Sequence, residues 1–309
     1  MDSCIAVDIG GTKMLIAQVL EDGTIVNQKR YPTGQLTKQE VLEKLIQRVY
    51  EYEEEIGWEG GSRPRRMGIG ANGLIDPVKG VWKKHNEADS EVAFVAPVEK
   101  ALGVTCYIDN DVKSTVIAEN IFGAGKGCRD MVYINLGTGL AAGIIANGKL
   151  IRGTDGFAGE IGFMNLTGGK GPRMELKASG IGLGHQVEAL QDEYPDSALK
   201  ELAGGVVRGQ DIFKLAEDGD EMAVKILEEM MRMVGLAISN LTCVLSPEVV
   251  IMGGGLITEE RLLKGIIDAV LPKAKQHLEK GVILTGLNPE YAGLMGAAAI
   301  GLGYQERYF

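Results

Sequence analysis

A strand–glycine turn–strand pattern that occurs twice constrains the fold more than any other feature of the sequence. Residues 3–30 and 131–152 each run through an apolar strand, a Gly-Thr turn, a second apolar strand, a turn of Asp or Asn with Gly, and a third strand. Two copies of one unit indicate an internally repeated fold. Because amphipathic helices accompany the strands, we predict two α/β domains.

Each Gly-Thr turn is a candidate phosphate site. Gly10, Gly11 and Thr12 form the first turn, and residues 137–139 form the second. Glycine permits the positive φ that a tight turn needs, and its missing side chain lets an anion approach the backbone N–H groups. Asp8 ends the strand before the first turn, where a carboxylate can hold a Mg²⁺–phosphate directly or through water. A plain tight hairpin with a buried acid is the alternative.

The charge of the chain limits its partners. The 309 residues include 32 Lys and Arg against 42 Asp and Glu, which gives a net charge of −10. This balance argues against nucleic acid or an anionic membrane surface as the main partner. A bound polyphosphate would therefore be held by backbone dipoles and metal rather than by a basic patch.

The cysteines and the amino terminus indicate a cytoplasmic protein. The four cysteines are far apart and lack CxxC spacing, so we expect buried thiols in a reducing compartment. The first residues lead directly into a strand with no basic, apolar signal segment. No apolar run reaches the roughly 18 residues that a membrane span needs.

An acidic triplet follows a predicted strand in the first half of the chain. Residues 104–108 form the strand, Asp109-Asn110-Asp111 follow it, and a helix is predicted over 112–122. A carboxylate at a strand end beside a helix N-terminus is favoured in its ionised form. Asp111 is thus a candidate catalytic base, with a helix N-cap as the alternative, and Asp109 is expected to be structural.

A third glycine site follows a strand in the second half. Residues 249–252 form a buried strand that leads into Gly253, Gly254 and Gly255, where backbone could lie against a flat or anionic ligand. A helix start with close packing is the alternative. A helix of small residues over 293–303 is predicted to pack tightly against a neighbour.

Five motifs together resemble the ROK family of sugar kinases. That family belongs to the actin/hexokinase/Hsp70 superfamily of ribonuclease H-like folds, and the resemblance covers nearly the whole chain. It implies two ribonuclease H-like (actin-like ATPase) domains with a cleft between them, one of residues 1–111 plus 291–309 and one of residues 112–290. The motifs are Asp8–Lys13, Asn110-Asp111, Gly137–Gly139, Gly159–Gly162 and Met252–Gly255.

The resemblance also implies the roles of individual residues. Asp111 would be the catalytic base, ATP and Mg²⁺ the cofactors, and Asp8 the metal ligand. The residues expected to bind ATP and its phosphates are Asp8, Gly10, Gly11, Thr12, Lys13, Gly137, Thr138, Gly139, Gly253, Gly254 and Gly255. The residues expected to bind substrate are Asn86, Asn110, Asp111, Glu160, Phe163 and Glu175.

Three departures from the family pattern stand out. Phe163 occupies the place of the usual His, so a polar contact to the sugar is replaced by an apolar ring. Residues 167–174 contain no cysteine where the family has a zinc motif, and we therefore predict no zinc site. Lys113 stands where the family usually has Asn, whereas Glu175, which follows the zinc motif, is retained.

The combined prediction is an ATP-dependent sugar kinase, a transferase that phosphorylates the hydroxymethyl group of a hexose or a hexose-like compound. The resemblance further implies a cytoplasmic homodimer that binds small molecules. Phe163 and the lost zinc motif favour an unusual hexose, a glycoside or a cyclitol over an N-acetylhexosamine as substrate. Two competing hypotheses are a superfamily ATPase with a protein partner and a sugar-binding regulator without turnover.

Overall fold

The computed structural model describes residues 2–84, 89–205, 207–257 and 260–308. Groups of strands and groups of α-helices follow one another along the chain, as in an α/β fold. The elements are β1 (Ser3–Ile9), β2 (Lys13–Leu20), β3 (Ile25–Pro32), α1 (Lys38–Glu55), β4 (Arg66–Ala71), β5 (Ile75–Asp76), β6 (Val81–Trp82), β7 (Val92–Ala93), α2 (Val95–Leu102), β8 (Thr105–Asn110), α3 (Asp111–Ile121), β9 (Met131–Leu136), β10 (Leu140–Ala146), β11 (Lys149–Leu150), α4 (Gly180–Leu190), α5 (Gly209–Glu217), α6 (Glu221–Leu245), β12 (Val249–Gly253), α7 (Glu260–Ala269), α8 (Pro272–Lys275), β13 (Val282–Leu284) and α9 (Ala292–Gly301).

The first sheet aligns Asp8, near the end of β1, with Asp109, near the end of β8. Its strand order is β3-β2-β1-β4-β8, with β1, β4 and β8 parallel. The register pairs Asp8 with Gly70 and Gly70 with Asp109, so these residues form one row across three strands. Because parallel strands end at the same edge, the first glycine turn and α3 both leave this edge of the sheet.

The second sheet repeats the order of the first. Its strands run β11-β10-β9-β12-β13, with β9, β12 and β13 parallel and β10 antiparallel to β11. In both sheets a three-strand meander is followed by two parallel strands. The shared order confirms the internal repeat that the two Gly-Thr turns predicted. A small sheet, β5-β6-β7, lies between β4 and β8 in the sequence.

The chain forms two compact units, each made of separate stretches of sequence. Residues 1–127, 143–158 and 286–309 form the first unit, and residues 128–142 and 159–285 form the second. The boundary we predicted at residue 111 falls at the start of α3. This helix belongs to the first unit because it packs against α9, which lies on β1 and β4. Residues 143–158 also belong to the first unit.

Glycines let α9 approach its neighbours closely. A Cβ on Gly68 would overlap the carbonyl oxygen of Ala297, and one on Gly296 would lie 2.7 Å from the backbone nitrogen of Thr115. A Cβ on Gly301 would lie 2.7 Å from the nitrogen of Gly68. The predicted close packing of this small-residue helix is confirmed, and larger residues at these places would separate α9 from β4 and α3.

Local signals placed most helix ends correctly, with some exceptions. From the sequence we also expect a capping box at Thr37 and Glu40, a helix cap at Asp220 and a helix over 92–102. Thr37 and Glu40 form this capping box of α1, and Asp220 caps α6 through the amide of Ala223. The helix over 92–102 is shorter than expected, because Val92 and Ala93 form β7. Cys243 is exposed rather than buried, whereas the other three thiols are buried.

Within the described residues, every helix is too short or too polar to cross a membrane.

Candidate active site

The first glycine turn closes the β1–β2 hairpin at the edge of the first sheet. The N–H of Gly10 donates to the carbonyl of Lys13 at 2.9 Å, and Gly11, Thr12 and Lys13 are exposed. Neither Gly10 nor Gly11 has a positive φ, so our expectation that the turn needs this conformation is wrong. A Cβ on Gly11 would meet no atom within 4 Å. The benefit of glycine here is an open approach to the backbone.

Asp8 lies half-buried directly before this turn. The pKa of its carboxyl is raised from 3.8 to about 6, because burial and the charge of Asp111 both raise it by more than Lys13 lowers it. The first turn of α9 covers the carboxylate, since a Cβ on Gly293 would lie 2.8 Å from Oδ1. A carboxylate that is costly to ionise and has a second acid nearby is suited to a hard cation such as Mg²⁺.

Asp111 is the first residue of α3, and Asn110 is the N-cap. The side-chain oxygen of Asn110 accepts from the amides of Val112 and Lys113 at 3.1 and 3.0 Å, while its amide nitrogen donates to the carbonyl of Gly73 at 3.1 Å. Asn110 therefore takes the capping role that was the alternative for Asp111. This leaves the Asp111 carboxylate available for chemistry.

The Asp111 carboxylate is half-buried and anchored to its own helix. Its Oδ1 accepts from the amide of Val112 at 2.9 Å. Burial raises its pKa and the charge of Asp109 adds to this effect, whereas the Val112 amide and Lys113 lower the pKa. A carboxyl with a raised pKa is a stronger base than an exposed one, which suits a group that takes up the proton of an alcohol.

The second glycine turn is held by the start of α4. The carbonyls of Gly137 and Thr138 accept from the amides of Gly180 and Ile181 at 2.8 and 3.0 Å. A Cβ on Gly180 would lie 3.2 Å from Thr138 Cα, so glycine permits this close approach. Backbone hydrogen bonds thus hold the turn in place.

The third glycine run divides into packed and open positions. Gly254 has φ +97°, and a Cβ there would lie 2.5 Å from the carbonyl oxygen of Leu136. Gly253 is packed against the ring of Tyr133, whereas a Cβ on Gly255 would meet nothing within 4 Å. Only the last of the three therefore borders open space.

A cavity of about 520 Å³ in the second unit joins the second and third glycine sites. A cavity of this size fits a nucleotide-sized ligand. Its lining combines glycine backbone, apolar side chains and one cation. The lining residues are Gly137, Thr138, Gly180, Ile181, Gly184, Gly205, Val207, Arg208, Gly209, Gly255 and Leu256.

The residues predicted to bind sugar in the second unit lie on or directly before two short 3₁₀ helices, Ile161–Phe163 and Met174–Leu176. Glu160 precedes the first, and Glu175 lies within the second. A Cβ on Gly139 would lie 3.0 Å from Glu175 Oε1, so this carboxylate borders the second glycine turn. Phe163 is 41% exposed.

Arg173 connects these side chains and was not foreseen from the sequence. Its guanidinium donates to Glu175 Oε2 at 2.9 Å and lies 5.0 Å from the centre of the Phe163 ring. No sequence motif predicts that Arg173 contacts Phe163 and Glu175. An Arg two residues before the retained Glu175 is nevertheless compatible with the contact.

Asn165 organises the loop that replaces the family zinc motif. Its side-chain oxygen accepts from the amides of Thr167 and Gly168, and its nitrogen donates to the carbonyls of Gly169 and Gly171. Across the described ranges, no three His, Cys, Asp or Glu side chains are grouped to hold a metal ion. Asn86, a predicted sugar ligand, lies outside the described residues.

Two α/β units that share one strand order, each with a glycine turn after its first strand, define the actin-like class of two-domain ATPases and kinases. The ROK family model matches residues 4–303. The chain belongs to the ROK family.

Several similar proteins are sugar kinases. The glucokinase of Streptomyces coelicolor is 31% identical over 96% of this chain and 97% of its own length. That of Thermotoga maritima is 28% identical over 96% of both chains. A ROK glucokinase of Streptomyces griseus, solved with glucose and AMPPNP, has a TM-score of 0.75 at 28% identity, over 97% of this chain and 99% of its own. This chain is a sugar kinase, a phosphotransferase with an alcohol group as acceptor.

Proposed function

We propose that the chain transfers the γ-phosphate of ATP to the hydroxymethyl group, of the 6-hydroxyl type, of a hexose or hexose-like substrate. The observation that carries this proposal is the Asp111 carboxylate, which is half-buried at the start of α3 and close enough to Asp8 for its charge to raise the Asp8 pKa. The resemblance to the family extends the proposal to a cytoplasmic homodimer without a nucleic-acid or membrane partner.

Asp111 acts as the base in this proposal. Phosphoryl transfer needs little covalent help, but the hydroxyl must be aligned with the γ-phosphorus and must lose its proton late in the transfer. The Asp111 carboxylate accepts a hydrogen bond from the hydroxyl, orients its oxygen and takes up the proton. The amide of Val112 holds Oδ1, which leaves Oδ2 for the substrate.

Backbone groups and one metal ion hold the nucleotide in this proposal. The cavity that contains the second glycine turn and Gly255 supports a nucleotide site in the second unit. Gly10–Lys13 provide a second set of exposed backbone groups for phosphate. Asp8 would hold Mg²⁺, directly or through water, and this ion would neutralise charge on the phosphate oxygens. A net charge of −10 makes such compensation necessary.

Asn110, Glu160 and Glu175 bind sugar hydroxyls in this proposal, and Phe163 lies against an apolar face of the substrate. Glucokinases among the relatives make glucose the first sugar to test. The exposed Phe163 ring offers no hydrogen bond to an N-acetyl group, so glycosides and cyclitols are the next candidates, ahead of N-acetylhexosamines.

An ADP-release assay with purified protein, ATP and Mg²⁺ tests the proposal. The panel contains glucose, other hexoses, N-acetylhexosamines, β-glucosides and cyclitols. We expect sugar-dependent ADP release whose kcat falls about 10²- to 10⁴-fold in Asp111→Asn, with the KM values little changed. ADP release at a rate that does not depend on sugar, or sugar binding without turnover, would contradict the proposed function. Asp22→Asn, in an exposed turn, is the matched control and should behave as the wild type.

A further inference from the structure

A buried ion pair supports the strand that delivers Asp111. Arg152, which follows β11, donates from Nη1 to Asp109 Oδ1 and from Nη2 to Oδ2, both at 2.7 Å. The Asp109 side chain is 3% exposed and the Arg152 side chain 20% exposed. Such a fork-to-carboxylate pair fixes the direction of both groups, because two parallel hydrogen bonds define a plane.

Asp109 transmits this constraint to the start of α3. Its Oδ1 also accepts from the backbone N–H of Asn110 at 2.8 Å. Asn110 in turn caps α3 through the amides of Val112 and Lys113 and donates to the carbonyl of Gly73. A continuous set of hydrogen bonds therefore runs from Arg152 through Asp109 and Asn110 to the turn of helix that contains Asp111.

This support is sensitive to the loss of either partner. Asp109 is nearly excluded from water, and the guanidinium and the Asn110 amide supply it with three donors. Without the guanidinium, a buried carboxylate would have to take up a proton or move toward solvent. Either change would alter the end of β8, where the backbone of Asn110 sets the path into α3.

We propose that Arg152 is a positioning residue for phosphoryl transfer, and that it acts through Asp109 and Asn110 to hold Asp111 in the geometry that receives the acceptor hydroxyl. Arg152 contacts neither reactant in this role. The role rests on the proposed function of Asp111 as base. A base misplaced by about 1 Å loses much of its effect, since alignment dominates this reaction.

Arg152→Met tests the proposal, because Met keeps an apolar side chain of similar length without the fork. The assay is sugar-dependent ADP release, at a temperature where circular dichroism shows each variant to be folded. We expect kcat to fall about 10- to 100-fold and the KM for ATP to change less than about twofold. Arg152→Lys should recover only part of kcat, since an ammonium cannot form both hydrogen bonds.

Arg63→Met is the matched control. The Arg63 side chain is 19% exposed, lies in the same unit and pairs with Glu53 in a contact that leads to no site residue. It should lose stability as Arg152→Met does, while its kcat stays at the wild-type value. A kcat for Arg152→Met no lower than that of Arg63→Met would overturn the proposal.

Two further variants separate positioning from general damage. Asp109→Asn, which keeps the shape of the side chain, should lower kcat in the same direction and serves where Arg152→Met does not fold. In an Asp111→Asn background, Arg152→Met should lower the remaining rate less than about twofold, because the two residues act as one unit. An undiminished effect in the Asp111→Asn background would overturn the proposal.

A wild type without sugar-dependent ADP release would instead contradict the proposed function, and the positioning role of Arg152 with it.

Discussion

Asp8 and Asp111 are two acids that the fold holds close together at one edge of the first sheet. The charge of Asp111 raises the pKa of Asp8, and burial raises both. In the absence of a cation, the ionised form of Asp8 is therefore costly to the folded protein. This cost can be measured through the dependence of stability on pH.

We expect Asp8 to reduce stability as pH rises from about 4 to about 6. Its folded pKa of about 6 exceeds the ordinary 3.8, so the folded chain binds the proton more tightly and the free energy of unfolding falls through this window. The effect is at most about 3 kcal/mol. Urea denaturation with EDTA should show Asp8→Asn gaining stability over the wild type as pH rises to about 6, and a constant difference above it.

Asp22 provides a control of opposite sign. Hydrogen bonds from the backbone N–H and the side chain of Thr24 lower the pKa of its exposed carboxyl. Asp22 thus contributes stability above its unfolded pKa and loses that contribution as pH falls through its folded pKa. Asp22→Asn should therefore lose stability relative to the wild type as pH rises. A difference between Asp8→Asn and the wild type that does not vary with pH would contradict the assignment of a raised pKa to Asp8.

At the scale of elements, the segment after β12 contains two adjacent glycines, Gly254 and Gly255, with different structural roles. Gly254 needs its positive φ and its contact with Leu136, whereas Gly255 borders the cavity. We expect Gly254→Ala to lower the free energy of unfolding by at least about 2 kcal/mol, from backbone strain and overlap. Thermal and urea unfolding measure this loss.

Gly255→Ala is the companion change and should act on binding. Its methyl group has room in the folded chain, so stability should change by less than about 0.5 kcal/mol. Inside the cavity the same methyl would meet the nucleotide, and we expect the KM for ATP to rise about tenfold, the equivalent of about 1.4 kcal/mol. Normal ATP affinity in Gly255→Ala would argue that the nucleotide lies elsewhere.

Local sequence signals predicted the elements that have local causes. The capping box at Thr37, the cap at Asp220 and the hairpin turns use residues that are adjacent or three apart, and all were found. Helix α4 was missed because Gly180, Gly182 and Gly184 weaken helix propensity, while Ser179 caps the helix and Gly182 packs on the carbonyl of Glu175.

Long-range pairs could not be predicted from one sequence. Arg152 and Asp109 are 43 residues apart, and nothing in either segment specifies the other. The sheet register that aligns Asp8 with Gly70 and Asp109 is likewise a property of three separate strands. The sequence motifs therefore predict candidate site residues, whereas the packing of strands and α9 decides which of those residues support one another.

At the scale of the whole molecule, net charge decides how salt affects the two substrates. With a charge of −10, the long-range field of the protein repels ATP but not a neutral sugar. Raising the ionic strength shortens the Debye length from about 30 Å at 0.01 M to about 8 Å at 0.15 M, which weakens this repulsion.

We therefore expect the KM for ATP, at saturating Mg²⁺, to fall about twofold to threefold between 0.01 and 0.15 M salt. The KM for the sugar should stay constant and serves as the internal control. Steady-state ADP release at fixed pH, with the chloride salt of a monovalent cation, measures both. A KM for ATP that rises with salt would mean that local cations such as Lys13 and Arg208, rather than the overall charge, govern the approach of the nucleotide. In that case, backbone dipoles and Mg²⁺ would not be the main sources of phosphate binding.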